Sequence, residues 1–256
     1  DMDTVIDGKT VTIVGGANAK VTRTMGGDTG NVIRVTGAST LVLRGLEVSG
    51  GDGDGVEVAG GTVTIASCKL QNNKGLGLNI SDGAVTVTGT VIGGNDDGGI
   101  FVANNRKLEI TNSFIVKNTA DGGLRMAKPG AGSKIEFNTI VDNTGGNGSA
   151  DAGGVFCDDS TFTARYNIIF RNVGGPNPGT VQTFGSCKFE NSFIMPGTGA
   201  GDERLKFKSA NDYHLTAMSP AEVRDVAGVV CTGLTDYDGD ARPQGTACDL
   251  GADEHK

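Results

Sequence analysis

The sequence contains no tryptophan, only 6 prolines and only 2 histidines among its 256 residues. Both histidines, His214 and His255, lie near the C-terminal end of the chain. Since both lie outside the repeated part of the chain, we expect no histidine-based acid–base site in a groove formed by the repeats and no histidine-rich zinc site. No apolar run reaches the roughly 18 residues that a spanning helix needs. No signal-peptide pattern opens the chain at Asp1. The sequence predicts no membrane span.

Positive charge is also scarce. The chain has 22 lysines and arginines against 30 aspartates and glutamates, which gives a formal net charge of -8. This charge repels phosphate backbones and anionic membrane surfaces, so nucleic acid is not an expected partner. Glycine-rich runs such as residues 50–55 lie between predicted strands without a strand-to-helix context, which argues against a phosphate-binding loop.

Glycine, in contrast, is abundant, with 43 residues and without the proline or strict triplet of collagen. Threonine, valine and isoleucine fill the stretches between glycines. The first 200 residues show no convincing apolar stripe at the helical period. The composition predicts many tight turns between short strands, and therefore an all-β protein.

A repeat of roughly 22–29 residues runs through most of the chain. Its clearest marker is a column of glycine and asparagine at the end of one strand per repeat. This column contains Gly51, Asn73, Asn95, Asn118, Asn143, Asn172 and Gly197. Both residue types tolerate a left-handed backbone, so we interpret the column as a turn that recurs once per coil.

Apolar residues align from repeat to repeat in three columns. One contains Val48, Leu70, Ile92, Ile115, Ile140, Ile169 and Ile194. The others contain Leu43, Ile65, Val87, Ile110, Ile135, Ala164 and Phe189, and Leu41, Val63, Val85, Leu108, Ser133, Phe162 and Cys187. The residues between the last two columns are mostly polar: Val42, Thr64, Thr86, Glu109, Lys134, Thr163 and Lys188. A period of two places the apolar columns inward and the polar one outward.

A further strand in each coil opens with a Gly-apolar-x-apolar pattern, at residues 55–58, 77–80, 99–102, 123–126 and 154–157. Three short strands per coil predict a parallel β-helix, a solenoid in which each coil covers the next. We expect residues 1–256 to form a single domain. Its parts would be an N-terminal cap and first coil at 1–30, regular coils at 31–200 and a C-terminal coil and cap at 201–256.

These repeats resemble the right-handed parallel β-helix superfamily that includes pectate lyases, over roughly residues 5–200. The segments 212–215, 219–221, 236–243 and 249–254 form a series that looks like the ending of many exported bacterial β-helix proteins. The resemblance implies a right-handed solenoid in a secreted or cell-surface bacterial protein. It is specific for architecture and weak for activity, because this scaffold hosts lyases, glycosidases, epimerases, phage tailspikes and adhesins.

The five cysteines leave one thiol over when the others pair. Cys231 and Cys248 flank a turn-rich segment and lack metal-ligand spacing, which favours a disulfide. Cys157 and Cys187 are 30 residues apart and could face each other in neighbouring coils. Cys68 is then expected to be a small buried apolar residue rather than a reactive thiol.

The outward column of the glycine-led strands is the candidate binding face. It reads Arg34, Glu57, Asn79, Phe101, Arg125, Phe156 and Gln182. In the enzymes that the repeats resemble, substrate lies in a groove outside one parallel sheet. We name Phe101, Phe156, Asn79 and Arg34 as candidate substrate-binding residues, because phenylalanine rings stack on sugar faces and polar groups orient a ligand.

Arg125, between two phenylalanines of that column, is the candidate catalytic residue, with Lys128 assisting. A guanidinium group could hold a uronate carboxylate or remove the proton beside it. A Phe–Arg–Phe ladder on a sheet also fits a packing and cation–π arrangement that involves no substrate. The sequence leaves both interpretations open.

Two sets of aspartates are candidate Ca²⁺ ligands, and Ca²⁺ is the only cofactor that the sequence suggests. The first set precedes neighbouring glycine-led strands and comprises Asp96, Asp97, Asp121 and Asp151. The second lies in a C-terminal turn and comprises Asp236, Asp238 and Asp240. Aspartate is also an ordinary turn former. For the second set we favour a cap in which Arg242 pairs with the aspartates.

Two functions fit these observations. The first is a noncatalytic extracellular module that binds polysaccharide or a cell-surface glycan, in the manner of an adhesin. The alternative is a Ca²⁺-dependent polyuronate lyase that acts by β-elimination, with Arg125 and Lys128 beside the ion. We favour the first, because regular coils without a sharp motif are weak evidence for catalysis.

Overall fold

A computed structural model describes residues 3–16, 18–23, 30–146, 152–174, 182–195 and 204–255. Strands and turns make up the secondary structure of these ranges, so the prediction of an all-β protein is confirmed. The part of the chain that is described contains no helix with the length and apolarity needed to cross a membrane.

The strands of the described residues are numbered in chain order. They are β1 (Thr4–Asp7), β2 (Thr10–Val14), β3 (Lys20–Thr22), β4 (Ile33–Thr36), β5 (Thr40–Arg44), β6 (Glu47–Ser49), β7 (Val56–Ala66), β8 (Lys69–Gln71), β9 (Leu76–Thr88), β10 (Val91–Gly93), β11 (Gly98–Val102), β12 (Lys107–Thr111), β13 (Phe114–Val116), β14 (Leu124–Met126), β15 (Lys134–Glu136), β16 (Thr139–Val141), β17 (Val155–Cys157), β18 (Thr163–Arg165), β19 (Ile168–Phe170), β20 (Thr183–Phe184), β21 (Lys188–Glu190), β22 (Phe193–Ile194), β23 (Phe207–Ser209) and β24 (Asp212–Leu215).

The strands stack into a parallel solenoid with three strand positions per coil, as predicted. An eight-stranded sheet runs β3-β6-β8-β10-β13-β16-β19-β22. A 14-stranded sheet holds the other two strand positions. Within it, the glycine-led strands are β1, β4, the first part of β7, the first part of β9, β11, β14, β17 and β20. The strands β7 and β9 are long because each passes through both positions without a break.

The three apolar columns point inward, as predicted. Leu70 pairs in register with Ile92, and Ile92 with Ile115, and all three are fully buried. Leu108 and Ile110 pair with Val85 and Val87 in the same way. Each coil therefore buries its apolar residues against the coils above and below, which is how a solenoid acquires a core.

The asparagine column has a different role from the predicted one. The left-handed backbone belongs to the preceding residue in each coil, for example Asn72 (φ 57°), Lys117 (φ 57°) and Asp142 (φ 60°). The column side chains point inward and form a buried amide ladder, in which the Asn118 Nδ2 atom donates to Asn143 Oδ1 at 2.9 Å. The same contact links Asn73 to Asn95, Asn95 to Asn118 and Asn143 to Asn172.

The glycines that open the strands are required by this ladder. A Cβ atom at Gly123 would lie 2.8 Å from the Gly154 oxygen and 2.9 Å from the Asn143 Nδ2 atom. A Cβ at Gly99 would meet Gly123 and Asn118 at similarly short distances. These separations are below ordinary van der Waals contact. The glycine of the Gly-apolar-x-apolar pattern is thus needed because the amide ladder passes close beside the backbone at that position.

Residues 204–255, here named the C-terminal segment, pack against the outer face of the eight-stranded sheet. Its Leu205, Tyr213, Leu215, Val223, Leu250 and Ala252 form one apolar cluster with Phe114, Val116, Val141, Ile168 and Phe170 of the coils. The sequence predicted a C-terminal coil and cap at residues 201–256, at the end of the stack. The described residues of the segment lie instead along its side, because β13, β16 and β19 are apolar on both faces.

Specific polar contacts fix the position of this segment. The Tyr213 hydroxyl donates to the Asp142 Oδ2 atom at 2.9 Å, and Arg171 Nε donates to Asp142 Oδ1 at 2.8 Å. Burial raises the pKa of Tyr213 above its ordinary value, and the neighbouring Asp142 charge adds to this effect. The backbone nitrogen of Ala252 donates to the Thr139 hydroxyl at 3.0 Å. The segment is therefore bound to the coils through both apolar and polar groups.

The cysteine predictions are confirmed. Cys157 and Cys187 form a disulfide between adjacent coils, and Cys231 and Cys248 form a second one within the C-terminal segment. Cys68 is a free, buried thiol, and burial raises its pKa above the usual value.

Candidate functional site

The candidate binding face is the outward side of the glycine-led strands. Phe101 pairs in register with Arg125, Arg125 with Phe156, and Phe156 with Phe184. We name these four residues the Phe–Arg ladder. Phe156 and Phe184 stack with ring centroids 5.8 Å apart and an interplanar angle of 19°. Phe184 is 45% exposed, which is unusual for a phenylalanine.

Arg125 contacts Asp121 and Phe156, among other residues. Its Nη1 atom lies 3.0 Å from the Asp121 Oδ1 atom, and its guanidinium carbon lies 5.7 Å from the centre of the Phe156 ring. The arginine side chain nevertheless keeps 34% of its accessible surface, so it is not sealed by the phenylalanines. A ligand on this face could contact the guanidinium group directly.

The other two predicted binding residues, Asn79 and Arg34, lie further along the same face. Asn79 pairs in register with Phe101, and its Nδ2 atom donates to Asp54 Oδ2 at 2.8 Å. Arg34 forms an ion pair with Glu57 at 3.0 Å. This end of the face is therefore polar and internally paired, whereas the end near Phe184 is aromatic.

Gln182, predicted as the last member of the outward column, does not occupy that position. Its backbone oxygen accepts from Val155, so it takes the place of a strand-leading residue, and its side chain is buried. The Gln182 Oε1 atom accepts from Asn172 Nδ2 at 2.8 Å and so extends the amide ladder. Phe184, two residues later, is the outward residue that the sequence analysis missed.

The predicted rim aspartates are partly brought together. The backbone nitrogen of Asp121 donates to the Asp97 oxygen at 3.2 Å, so these two residues are neighbours in adjacent coils. Asp96 and Asp97 are exposed, and Asp121 contacts Arg125. Asp151 lies outside the described residues. Across the described ranges, Asp96, Asp97 and Asp121 do not form a three-ligand group with oxygens within 4.8 Å.

Lys128 lies beyond the end of β14, where its backbone oxygen accepts from Asn105. Its side chain is near Asp159, whose pKa is lowered by hydrogen bonds from Thr161 and, to a smaller extent, by the Lys128 charge. Arg125 is instead anchored before the strand, at Asp121. The two predicted catalytic residues thus have separate acidic neighbours.

The C-terminal turn has a different arrangement from the two that the sequence suggested. Asp236 is buried, and its two oxygens accept from the backbone nitrogens of Asp240 and Glu254. Arg242 forms its buried ion pair with Glu254, at 2.7 Å, rather than with the Asp236 carboxylate. Its guanidinium also lies over the Phe137 ring, 4.7 Å from the centroid, and so ties the turn to the coils.

A second group of polar residues lies within the C-terminal segment. The His214 ring, the Asp238 carboxylate and the Asp253 carboxylate each place one atom within 4.8 Å of the others. His214 is on β24, Asp238 is in the acidic turn and Asp253 is near the chain end. The sequence analysis missed this group, because residues this far apart in sequence meet only through tertiary packing.

Burial and the mutual charges of the group both shift its pKa values. Asp253 is 5% exposed, and burial raises its pKa to about 7, with a further rise from Asp236 and Asp238 and an opposing effect from His214. Burial lowers the pKa of His214, but the hydrogen bond to Asp212 and the charges of Asp253 and Asp238 raise it overall.

Comparison with known proteins identifies relatives of the solenoid. A family model described as "Right handed beta helix region" matches residues 31–194. Among solved structures, the chain is similar to the crystal structure of pectate lyase Pel9A, with 14% sequence identity and a TM-score of 0.53. The match covers 93% of this chain and 70% of that one. No curated protein matches. At this level of identity, the structural likeness concerns the fold alone.

Proposed function

Because the chain belongs to the right-handed β-helix family, we propose that it is an extracellular module that binds polysaccharide on its Phe–Arg ladder without catalysing a reaction. The observation that carries this proposal is the unbroken register of Phe101, Arg125, Phe156 and Phe184 on one outward face. Aromatic rings in such a row offer apolar surfaces for the faces of successive sugar rings.

The geometry of the ladder favours binding along the solenoid axis. Adjacent strands of a sheet are roughly 4.7–4.9 Å apart, so consecutive ladder residues form a regularly spaced row. Arg125 adds a partly accessible cation between the rings, suited to a carboxylate or hydroxyl group of the glycan. A flat, open row of this kind suits an extended polymer better than a small molecule.

Two disulfides support an extracellular location, because disulfides form and persist in oxidising compartments. A secreted or cell-surface bacterial protein would meet polysaccharides and cell-surface glycans as its natural partners. An acidic glycan would approach against the net charge of -8, and Arg125 offers it a local cation on this face.

Glycan binding is tested with the variants Phe184→Ala and Phe156→Ala against a panel of neutral and acidic polysaccharides. We expect each substitution to weaken binding about two- to tenfold, since a lost stacking contact is worth roughly 0.5–1.5 kcal/mol. Thr86→Ala is the matched control, because Thr86 is exposed and lies on the outward face of the adjacent strand position. Equal binding by Phe184→Ala, Phe156→Ala and the wild type would refute this location for the site.

A polyuronate lyase is the second candidate function, supported by the accessible guanidinium of Arg125 on this face. In that reaction Arg125, in its deprotonated form, would take the C5 proton beside the uronate carboxylate while the C4–O bond to the neighbouring sugar breaks, and Lys128 would assist by giving a proton to the departing oxygen. Asp96, Asp97 and Asp121 would hold a Ca²⁺ ion that neutralises the carboxylate. Arg125 would first have to exchange its Asp121 contact for the substrate.

The two functions separate in one absorbance experiment. A lyase produces an unsaturated uronate, so pectate or alginate mixed with the protein and Ca²⁺ would show rising ultraviolet absorbance that Arg125→Ala abolishes. We expect no rise across polyuronates, with binding retained. A Ca²⁺-dependent rise that requires Arg125 would replace the noncatalytic proposal with the lyase.

A further inference from the structure

The group formed by His214, Asp238 and Asp253 has the composition and spacing of a transition-metal site. The Asp238 Oδ2 atom lies 3.4 Å from the His214 Nε2 atom. Two ligand atoms at about 2.0–2.1 Å from a tetrahedral Zn²⁺ are also separated by roughly 3.4 Å. The other two separations are within 4.8 Å, and rotation of Asp238, whose side chain is 47% exposed, can shorten its distance to Asp253.

The orientation of His214 is an independent observation that points to a ligand. Its Nδ1 atom contacts the Asp212 Oδ1 atom, which fixes the ring and favours the tautomer with hydrogen on Nδ1. The Nε2 atom then carries the lone pair, lies 3.4 Å from Asp238 Oδ2 and within 4.8 Å of an Asp253 oxygen, and is buried without a hydrogen-bond partner among the described residues. A carboxylate behind a histidine is the usual support of a metal-ligating imidazole.

We propose that His214 Nε2, Asp238 and Asp253 bind one divalent ion of the Zn²⁺ class. The ion would join three separate parts of the C-terminal segment, since its ligands come from β24, the acidic turn and the chain end. A cavity of about 320 Å³, lined by all three residues together with Lys208, Thr216 and His255, provides access. Three protein ligands leave a coordination position that faces this cavity, open to water or a further ligand.

The donor set selects among metals. Imidazole nitrogen suits Zn²⁺ and related transition metals, whereas Ca²⁺ takes six to eight oxygen ligands. Only two of the three side chains here offer oxygen, and backbone nitrogens already donate to both Asp236 oxygens and to the Asp253 Oδ2 atom. Without an ion, the same group would be a histidine held between aspartates. A metal site is therefore distinguished from a simple charge cluster by binding one ion per chain and by preferring Zn²⁺ to Ca²⁺.

The test uses the full chain without a polyhistidine tag, stripped with a chelator and titrated with Zn²⁺ by calorimetry. We expect one Zn²⁺ per chain, a rise in the unfolding temperature on binding and no displacement by excess Ca²⁺. Co²⁺ in place of Zn²⁺ should give the visible absorption of a low-symmetry, nitrogen- and oxygen-ligated site. The variants Asp238→Asn and His214→Gln should each lower Zn²⁺ affinity at least tenfold.

Asp212 positions the His214 ring, and its role can be tested separately from the ligands. Loss of a carboxylate behind a metal-bound histidine lowers metal affinity about 10- to 100-fold. Asp212→Asn should fall in that range. Glu222→Gln is the matched control, since it removes the same charge at an exposed position of the segment outside the group. Asp238 is exposed, so Asp238→Asn remains informative even if His214→Gln fails to fold.

The proposal fails if the folded, stripped chain binds no Zn²⁺, or if Ca²⁺ binds as tightly. It also fails if Asp238→Asn and His214→Gln, both folded, bind Zn²⁺ like the wild type. None of these outcomes bears on glycan binding, which depends on the Phe–Arg ladder.

Discussion

The stacked coils and the C-terminal segment bury polar groups by different means. In the coils, neutral side chains repeat one contact from coil to coil, as in the ladder from Asn73 through Asn172. The segment instead buries ionised groups in contacts that occur once. The side chains of Arg242 and Glu254 have at most 1% of their surface exposed. Among the described residues, each is the other's ion-pair partner, at 2.7 Å.

This difference shows how each region obtains its specificity. The repeated amide ladder fixes the register of the coils that it joins, because each asparagine needs the next one at a set distance. A buried ion pair fixes one arrangement, because either charge left alone would be strongly destabilising. The coils are thus specified by periodicity, and the segment is specified by individual contacts with residues far away in sequence.

The largest effect is expected from breaking the segment's ion pair with Arg242→Met. The substitution leaves Glu254 buried without its partner and removes the contact with Phe137, so stability should fall by about 3–5 kcal/mol. Urea unfolding measures the loss, and hydrogen exchange should show it concentrated in residues 204–255. The exposed Lys208→Met is the control. If hydrogen-exchange protection fell equally throughout the coils, the structure of the segment would not be specified independently of them.

A similar test of the coils is Asn118→Ala. The Asn118 Oδ1 atom accepts from the backbone and side chain of Asn95, and its Nδ2 donates to Ile92 and Asn143. Several buried groups lose a partner at once, so we expect about 3–4 kcal/mol of destabilisation. Asn104→Ala, at an exposed position, should change little. A loss below about 1 kcal/mol would mean that the ladder adjusts without its central member.

Removal of each disulfide tests whether the coils and the C-terminal segment are stabilised separately. The Cys231–Cys248 bond closes a loop of sequence separation 17 and packs on Phe137, so replacement of both cysteines by serine should cost about 3 kcal/mol. Protection should be lost in the segment. The corresponding replacement of Cys157 and Cys187 should instead loosen the last coils. Hydrogen exchange that affects the same residues in both variants would contradict this division.

The smallest effect concerns Cys68. Its Sγ atom donates to the Ala66 oxygen at 3.2 Å, and burial raises the pKa of the thiol. At pH 8 we therefore expect alkylation only after unfolding, with no labelling of the native chain over hours. The raised pKa also means that stability is retained below the usual thiol pKa and decreases as the pH rises above it. Rapid native labelling would show that the coil around Cys68 opens readily.

Much of the fold and part of the site followed from the sequence. The period-two alternation predicted the inward columns and their register, and the glycine-led strands placed Phe101, Arg125 and Phe156 on one face. The prediction failed at Gln182, because its coil includes a stretch with no repeat pattern to set the register. The asparagine column was located correctly but misinterpreted, since a turn and a buried ladder leave the same residue type at the same spacing.

The sequence by itself determined the solenoid, because a local pattern repeated at a fixed period admits one way of stacking that buries every apolar column. Tertiary structure alone decided that the C-terminal segment lies along the side of the eight-stranded sheet. It also decided that Arg242 pairs with Glu254 and that His214, Asp238 and Asp253 converge. These contacts join distant residues without periodicity, so they depend on the shape and charge of surfaces that exist only after the coils have stacked.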